Sequence, residues 1–144
     1  MKYVLLLRGI NVGGKNKVSM ADLKDAIAYL GYKNVITYIN SGNIIFDTTE
    51  NIGVVNDKIS QILNSYPFKI NKVILTKQEY IEELKNLPSW WKDDFYRKDV
   101  LFYSEDIDYS IIKEYLIKES FYKAVTIRNG RTFMKIAELL DNEH

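Results

Sequence analysis

The stretch "NVITYINSGNIIFDT", residues 34–48, holds two β-rich runs of Val, Ile, Thr, Tyr and Phe. Asn40, Ser41, Gly42 and Asn43 interrupt them, and each of these is a turn former. Two strands this close in sequence predict an antiparallel hairpin. Upstream, "KYVLLL" (residues 2–7) is a continuous apolar run of the kind expected in a strand buried on both faces. Glycines at 9, 13 and 14 break it. Ser19 then offers an N-cap with Asp22 three residues on, and Met20, Leu23, Ile27 and Leu30 recur at helical spacing up to a stop at Gly31. Downstream of the hairpin, Ile52, Val55, Ile59 and Ile62 mark a second helix, Pro67 ends it, and "KINKVILT" is a further strand. The order over residues 1–76 is β-α-β-β-α-β. It predicts an α/β (α+β) protein whose N-terminal unit is a ferredoxin-like α-β plait. Strands are expected at 3–8, 35–39, 43–47 and 71–75, with helices starting near Ser19 and Thr49 on one face.

Residues 77–144 read as a smaller, incomplete α/β unit. Thr76 and Glu79 form a capping box for a short helix stopped by Pro88. "SWWKDDFYRKD" has no clean period and reads as an aromatic-rich connection. "VLFYS" is a strand, "DYSIIKEYLIKES" a helix capped by Asp108, and "KAVTIRN" a strand. "GRTFMKIAELL" is a final helix that turns Phe133, Ile136, Ala137 and Leu140 inward. No Gly/Ser linker separates the two parts, so they are expected to pack together.

Composition narrows the chemistry. The chain has 144 residues, 20 basic and 19 acidic side chains, no cysteine and one histidine, His144, at the end. Thiolate catalysis, disulfides, cysteine metal sites and a histidine-based triad are thereby excluded. A net charge of +1 gives no bulk reason to expect nucleic acid or membrane as a partner. The N-terminal apolar run is too short for a signal peptide, and no segment reaches the ~20 apolar residues of a membrane span. A soluble, cytoplasmic protein is the expectation. The acidic residues Asp93, Asp94, Glu105, Asp106 and Asp108 lack the spacing of a calcium loop and read as solvated surface. No metal and no cofactor is expected.

The most chemically suggestive segment is "RGINVGGKNK", residues 8–17. Glycines permit a sharp turn that exposes backbone N–H groups, a helix begins just beyond, and Arg8, Lys15 and Lys17 add charge. The combination suits a phosphate or carboxylate, although neither G-x-x-x-x-G-K-[ST] nor G-x-G-x-x-G is present. A tight turn with solubilising lysines is the plainer reading. In the predicted topology this loop lies opposite the "NSGN" turn. "TIRNGRTFMK" repeats the pattern loosely near the C-terminus; there the alternative is helix capping by Asn129 with solvated arginines.

"LLLRGINVGGKNKVSMADLK", "YINSGNIIF", "LPSWWKDDFYRKDVLFY" and "FYKAVTIRNGRTFMKI" resemble the hallmark segments of the domain of unknown function 1697 (DUF1697) family of small bacterial proteins. The resemblance implies two α-β plaits and transfers no activity. It also implies a shortened member, because the segments like "VLFYSEDID" and "YLIKESFYKAVTIRN" are nearly joined here, where typical members carry additional strands. Open sheet edges would follow, to be covered by a homodimer partner or by "SWWKDDFYRKD".

The expected function is a binding module for an anionic, phosphorylated or nucleotide-like small ligand. Arg8, Lys15 and Lys17 would supply charge, Gly13 and Gly14 backbone donors, and Asn11, Asn40, Ser41 and Asn43 orientation. Arg128, Asn129 and Arg131 would join them if the two halves meet there. Three alternatives stay open. One is an enzyme acting on a phosphorylated metabolite or nucleotide, for which no general base stands out. The others are an RNA-binding plait using sheet aromatics and a self-associating structural protein.

Overall fold

The computed structural model describes residues 1–93, 98–103 and 125–141. The described residues form six strands: β1 (Lys2–Arg8), β2 (Lys33–Tyr38), β3 (Asn43–Asp47), β4 (Asn71–Thr76), β5 (Asp99–Tyr103) and β6 (Val125–Asn129). The helices are α1 (Met20–Tyr29), α2 (Ile52–Asn64), α3 (Lys77–Lys85) and α4 (Gly130–Asp141), with a 3-10 turn at Ser89–Lys92. The expected helix over 109–120, Asp94, Glu105, Asp106, Asp108 and His144 lie outside the described residues. Among the described residues, no helix is long and apolar enough to cross a membrane.

Strands β1–β4 form one antiparallel sheet in the order β2-β3-β1-β4. The central strand β1 explains its own sequence. Tyr3, Leu5 and Leu7 point to one face, where they join Ile44, Phe46 and Ile74 beneath Leu23 and Ile27 of α1 and Val55, Ile59 and Leu63 of α2. Val4 and Leu6 point to the other, with Ile45 and Val73, beneath Tyr80 of α3, Phe102 of β5 and Phe133, Ile136, Ala137 and Leu140 of α4. A strand buried on both sides must be apolar at every position. Both halves of the chain therefore share a core, and α1 and α2 do lie on a single face.

Local chemistry sets the helix ends. Ser19 Oγ accepts from Asp22 N at 3.2 Å, and Gly31 terminates the helix at φ 91°. Thr76 and Glu79 exchange both bonds of the capping box. Helix α2 departs from expectation: its N-cap is Asn51 rather than a residue near Thr49, and its buried stripe is Val55, Ile59 and Leu63 while Ile52 is 38% exposed. Val55 and Ile59 face the core as expected, Ile62 is partly buried against it, and Leu63 extends the stripe by one more turn.

β5 and β6 pair antiparallel over Asp99–Tyr103 and Val125–Asn129. Trp91 stands edge-on to Phe133 at 6.0 Å, and a Cβ at Gly130 would meet its ring at 3.3 Å. The "WW" segment thus contributes packing.

Candidate functional site

The loop after β1 and the turn between β2 and β3 meet at one end of the sheet. Leu7 N donates to Gly42 O at 2.8 Å, and Asn11 Nδ2 donates to Asn40 O at 2.8 Å. The expected juxtaposition of "RGINVGGKNK" and "NSGN" is present.

Two asparagines build the loop. Asn11 Nδ2 also donates to Val18 O at 3.0 Å, and its Oδ1 accepts from Val18 N at 2.8 Å. Asn16 Nδ2 donates to Gly9 O at 3.0 Å, while Asn11 N donates to Asn16 O at 3.0 Å. Between them Val12 and Lys15 form an antiparallel bridge, closed by Lys15 N donating to Val12 O at 3.0 Å. Gly13 (φ 59°) and Gly14 (φ 74°) are the two residues of its turn, both left-handed, as the tightest hairpin connection requires. Asn11 (φ 54°), Asn16 (φ 53°) and Gly9 (φ 82°) share the left-handed region.

The facing turn is strained as well. Ile39 has φ 49°, an outlier for a β-branched residue. Gly42 (φ 90°) could not carry a side chain, because a Cβ would fall 2.6 Å from Leu7 Cβ. Positive φ at non-glycine residues costs about 1–3 kcal/mol each and concentrates at functional sites. Three of the four such residues described here, Asn11, Asn16 and Ile39, stand at this end.

The electrostatics are one-sided. From Met1 to Ala21, and again from Ala26 to Phe46, the chain contains no Asp or Glu. Lys15 and Lys17 are exposed, whereas Arg8 is half-buried, has partners within the protein, and has its guanidinium pKa lowered by desolvation. The nearest carboxylate along the chain is Asp22, in the first turn of α1.

The remaining expected site residues divide differently. Arg128 reaches this end from β6, but inside the protein, at 6% exposure. Its Nε donates to Asn43 Oδ1 at 2.6 Å, and its Nη2 to Leu7 O at 2.7 Å, Gly42 O at 3.2 Å and Ser41 O at 3.4 Å. Burial lowers its pKa to about 10, so the group stays charged at neutral pH. Asn43, 2% exposed, completes the brace by donating Nδ2 to Tyr38 O at 2.9 Å and Ser41 Oγ at 3.0 Å. Asn129 Oδ1 accepts from Thr132 N at 2.9 Å, capping α4. Arg128 and Asn43 thus brace the turn from within the protein, and Asn129, at the surface, caps α4. Arg131 is exposed and lines a shallow depression with Tyr38, Met134, Lys135 and Glu138. Asn40 and Ser41 remain at the surface of the turn.

Val12, Asn16 and Ile39 were not anticipated. The asparagine could have been read from its place two residues after a pair of glycines. The aliphatic pair could not, because Val and Ile beside a turn ordinarily signal strand.

Both faces of the four-stranded sheet are covered. Tyr3 stacks on Phe46 at 5.7 Å under α1 and α2, and Tyr80 stacks on Phe133 at 4.9 Å on the opposite side. The aromatic rings of this sheet are core on both faces, whereas stacking of bases uses rings on an open face. Among the described residues, no group of three His, Cys, Asp or Glu is arranged to hold a metal ion.

Fold and site together define a class: a mixed α+β protein with a doubly covered four-stranded antiparallel sheet, ending in a cationic, glycine-turned loop. The profile of the family described as "Protein of unknown function (DUF1697)" matches residues 1–133, and the chain belongs to that family. It is similar to a solved structure described as "The structure of conserved bacterial protein SP0830 from Streptococcus pneumoniae", at 36% identity and a TM-score of 0.89, over 97% of this chain and 98% of that one. No curated protein matches the chain.

Proposed function

We propose that this protein is a binding module whose 9–17 loop receives an anionic group. The observation that carries the reading is the exposed Gly13–Gly14 turn, followed by the exposed Lys15 and Lys17 and braced by Asn11 and Asn16. Glycine lets an anion approach the backbone N–H groups, and a braced loop loses little entropy on binding. Lys15 and Lys17 supply the charge, with Ser41 at the rim. Arg8, Asn11, Asn43 and Arg128 set the geometry from behind.

The frame is a ferredoxin-like plait over residues 1–76, with residues 77–144 as a smaller α/β unit docked on its free face. The strand order β2-β3-β1-β4 and the placement of α1 and α2 on one face support this.

Titration of 15N-labelled protein with inorganic phosphate and with a nucleoside monophosphate at low ionic strength tests the site. Shifts centred on the Gly13, Gly14 and Lys15 amides are expected, weakened about tenfold by Lys15→Ala with Lys17→Ala, as loss of a charge-assisted bond implies. Unmoved loop amides would overturn the reading.

A further inference from the structure

The same end of the molecule exposes two aliphatic side chains, one of them on strained backbone. Val12, beside the Gly13–Gly14 turn, is 68% exposed, and Ile39, in the facing turn, is 50% exposed. Asn11 ties one segment to the other through Asn40, so the segments that carry the two residues are in contact. Folding gains nothing from either exposure, and Ile39 adds the strain of a left-handed β-branched residue. Neither cavity described is lined by a residue of the 9–17 hairpin or the 39–42 turn: one lies beside Met1, Lys77 and Ile81, the other beside Tyr38, Arg131 and Met134. Small molecules are held in concave sites that enclose most of their area. An exposed loop with aliphatic side chains beside lysines fits a protein partner.

Resting on the anion-binding reading above, we propose that the 9–17 hairpin and the 39–42 turn form a docking surface for an acidic protein segment bearing aliphatic side chains. Charge complementarity selects the occupant, because Lys15 and Lys17 stand in sequence free of carboxylates. The aliphatic pair argues against single-stranded nucleic acid, which stacks its bases on aromatic rings.

Three probes separate the outcomes: inorganic phosphate, a synthetic peptide of alternating Asp, Glu and Leu, and a charge-matched peptide with Ser for Leu. Amide shifts at residues 12–17 and 39–42 report binding. The Leu peptide is expected to bind about tenfold more tightly than the Ser peptide, since burying aliphatic side chains supplies that margin. Val12→Ser with Ile39→Ser should abolish the difference and leave phosphate binding intact. Equal binding of the two peptides, with phosphate still bound at the loop, overturns the docking surface and spares the anion site. Failure of all three probes overturns both. Tighter binding of a single-stranded oligonucleotide than of the Leu peptide also overturns the proposal. Ile39→Gly, which relaxes the strained backbone, guards against a folding defect, and it should lower Leu-peptide affinity without lowering the melting temperature.

Discussion

Two segments of this chain look alike on the page: "RGINVGGK" after β1 and "IRNGRTF" after β6. Each follows a strand with arginine, asparagine and glycine and leads to a helix. In the fold they meet at one end of the sheet and do opposite things. Arg128 is buried and spends its donors on Asn43 and the carbonyls of Leu7, Ser41 and Gly42. The side chains of Lys15 and Lys17 stand in solvent on a loop whose side-chain bonds come from Asn11 and Asn16. Similar composition thus gives an inner brace in one place and an outer surface in the other. The difference is set by what lies above. Phe133, Ile136 and Leu140 of α4, the helix that follows β6, pack with Val4, Leu6 and Ile45 of the sheet, whereas residues 12–17 of the loop are exposed. A guanidinium suits the inner role because its rigid fork serves several acceptors at once, and an ammonium suits the outer one because it stays hydrated.

Removing the brace should produce the largest effect. Arg128→Ala takes a donor from Asn43 Oδ1 and from the carbonyls of Leu7, Ser41 and Gly42, of which Gly42 O keeps the bond from Leu7 N, and it opens a cavity. A loss of about 3 kcal/mol or more is expected, or roughly 10 °C in melting temperature. Arg128→Lys should restore only part of it. A loss under about 1 kcal/mol in urea unfolding would break the inner half of the comparison.

Gly42→Ala comes next. The added Cβ would sit 2.6 Å from Leu7 Cβ and 3.0 Å from Ile10 Cδ1, at φ 90°. About 2–3 kcal/mol should be lost, through strain and displacement of β1. A near-neutral result would show that the turn relaxes freely and is not held by the brace.

Asn11→Ala sharpens the outer half. It removes three hydrogen bonds and strains a left-handed residue. About 1–2 kcal/mol is expected, with faster amide exchange confined to residues 9–18. Exchange spreading into β1 would mean that the loop belongs to the core.

The smallest effect lies beside β3, at the start of α2. Tyr32 Oη donates to Glu50 Oε2 at 2.7 Å, and Lys58 pairs with Oε1. The bonds from Lys58 and Tyr32 hold the Glu50 carboxyl below its ordinary pKa. A depressed carboxylate adds stability above its unfolded pKa and loses it as pH falls through the folded value. Glu50→Gln should therefore be slightly less stable than the parent at neutral pH and indistinguishable from it in strong acid. A difference that grows on acidification would reverse the assignment.

Much of this frame was legible beforehand. The β-rich runs on either side of "NSGN", the continuous apolar run of β1 and the caps at Ser19 and Thr76 are local signals, and they place β1–β4 and three helix starts to within a few residues. Phe133, Ile136, Ala137 and Leu140 of α4 were readable from spacing of three and four. The site was half legible. Glycines and lysines announce an exposed loop, and topology places it opposite the turn. Nothing local distinguishes the environment of Arg128 from that of Arg8 or Arg131, because burial is decided by segments far away in sequence. Arg128 and Leu7 are 121 residues apart. The strain at Ile39 was invisible for the same reason.

Urea unfolding of Lys15→Glu with Lys17→Glu, beside Arg128→Met in the same buffer, tests the division most directly. The account predicts a midpoint within about 0.5 kcal/mol of the parent for the lysine pair and a loss of about 3 kcal/mol for Arg128→Met. Equal losses, or a larger loss for the lysine pair, would contradict it.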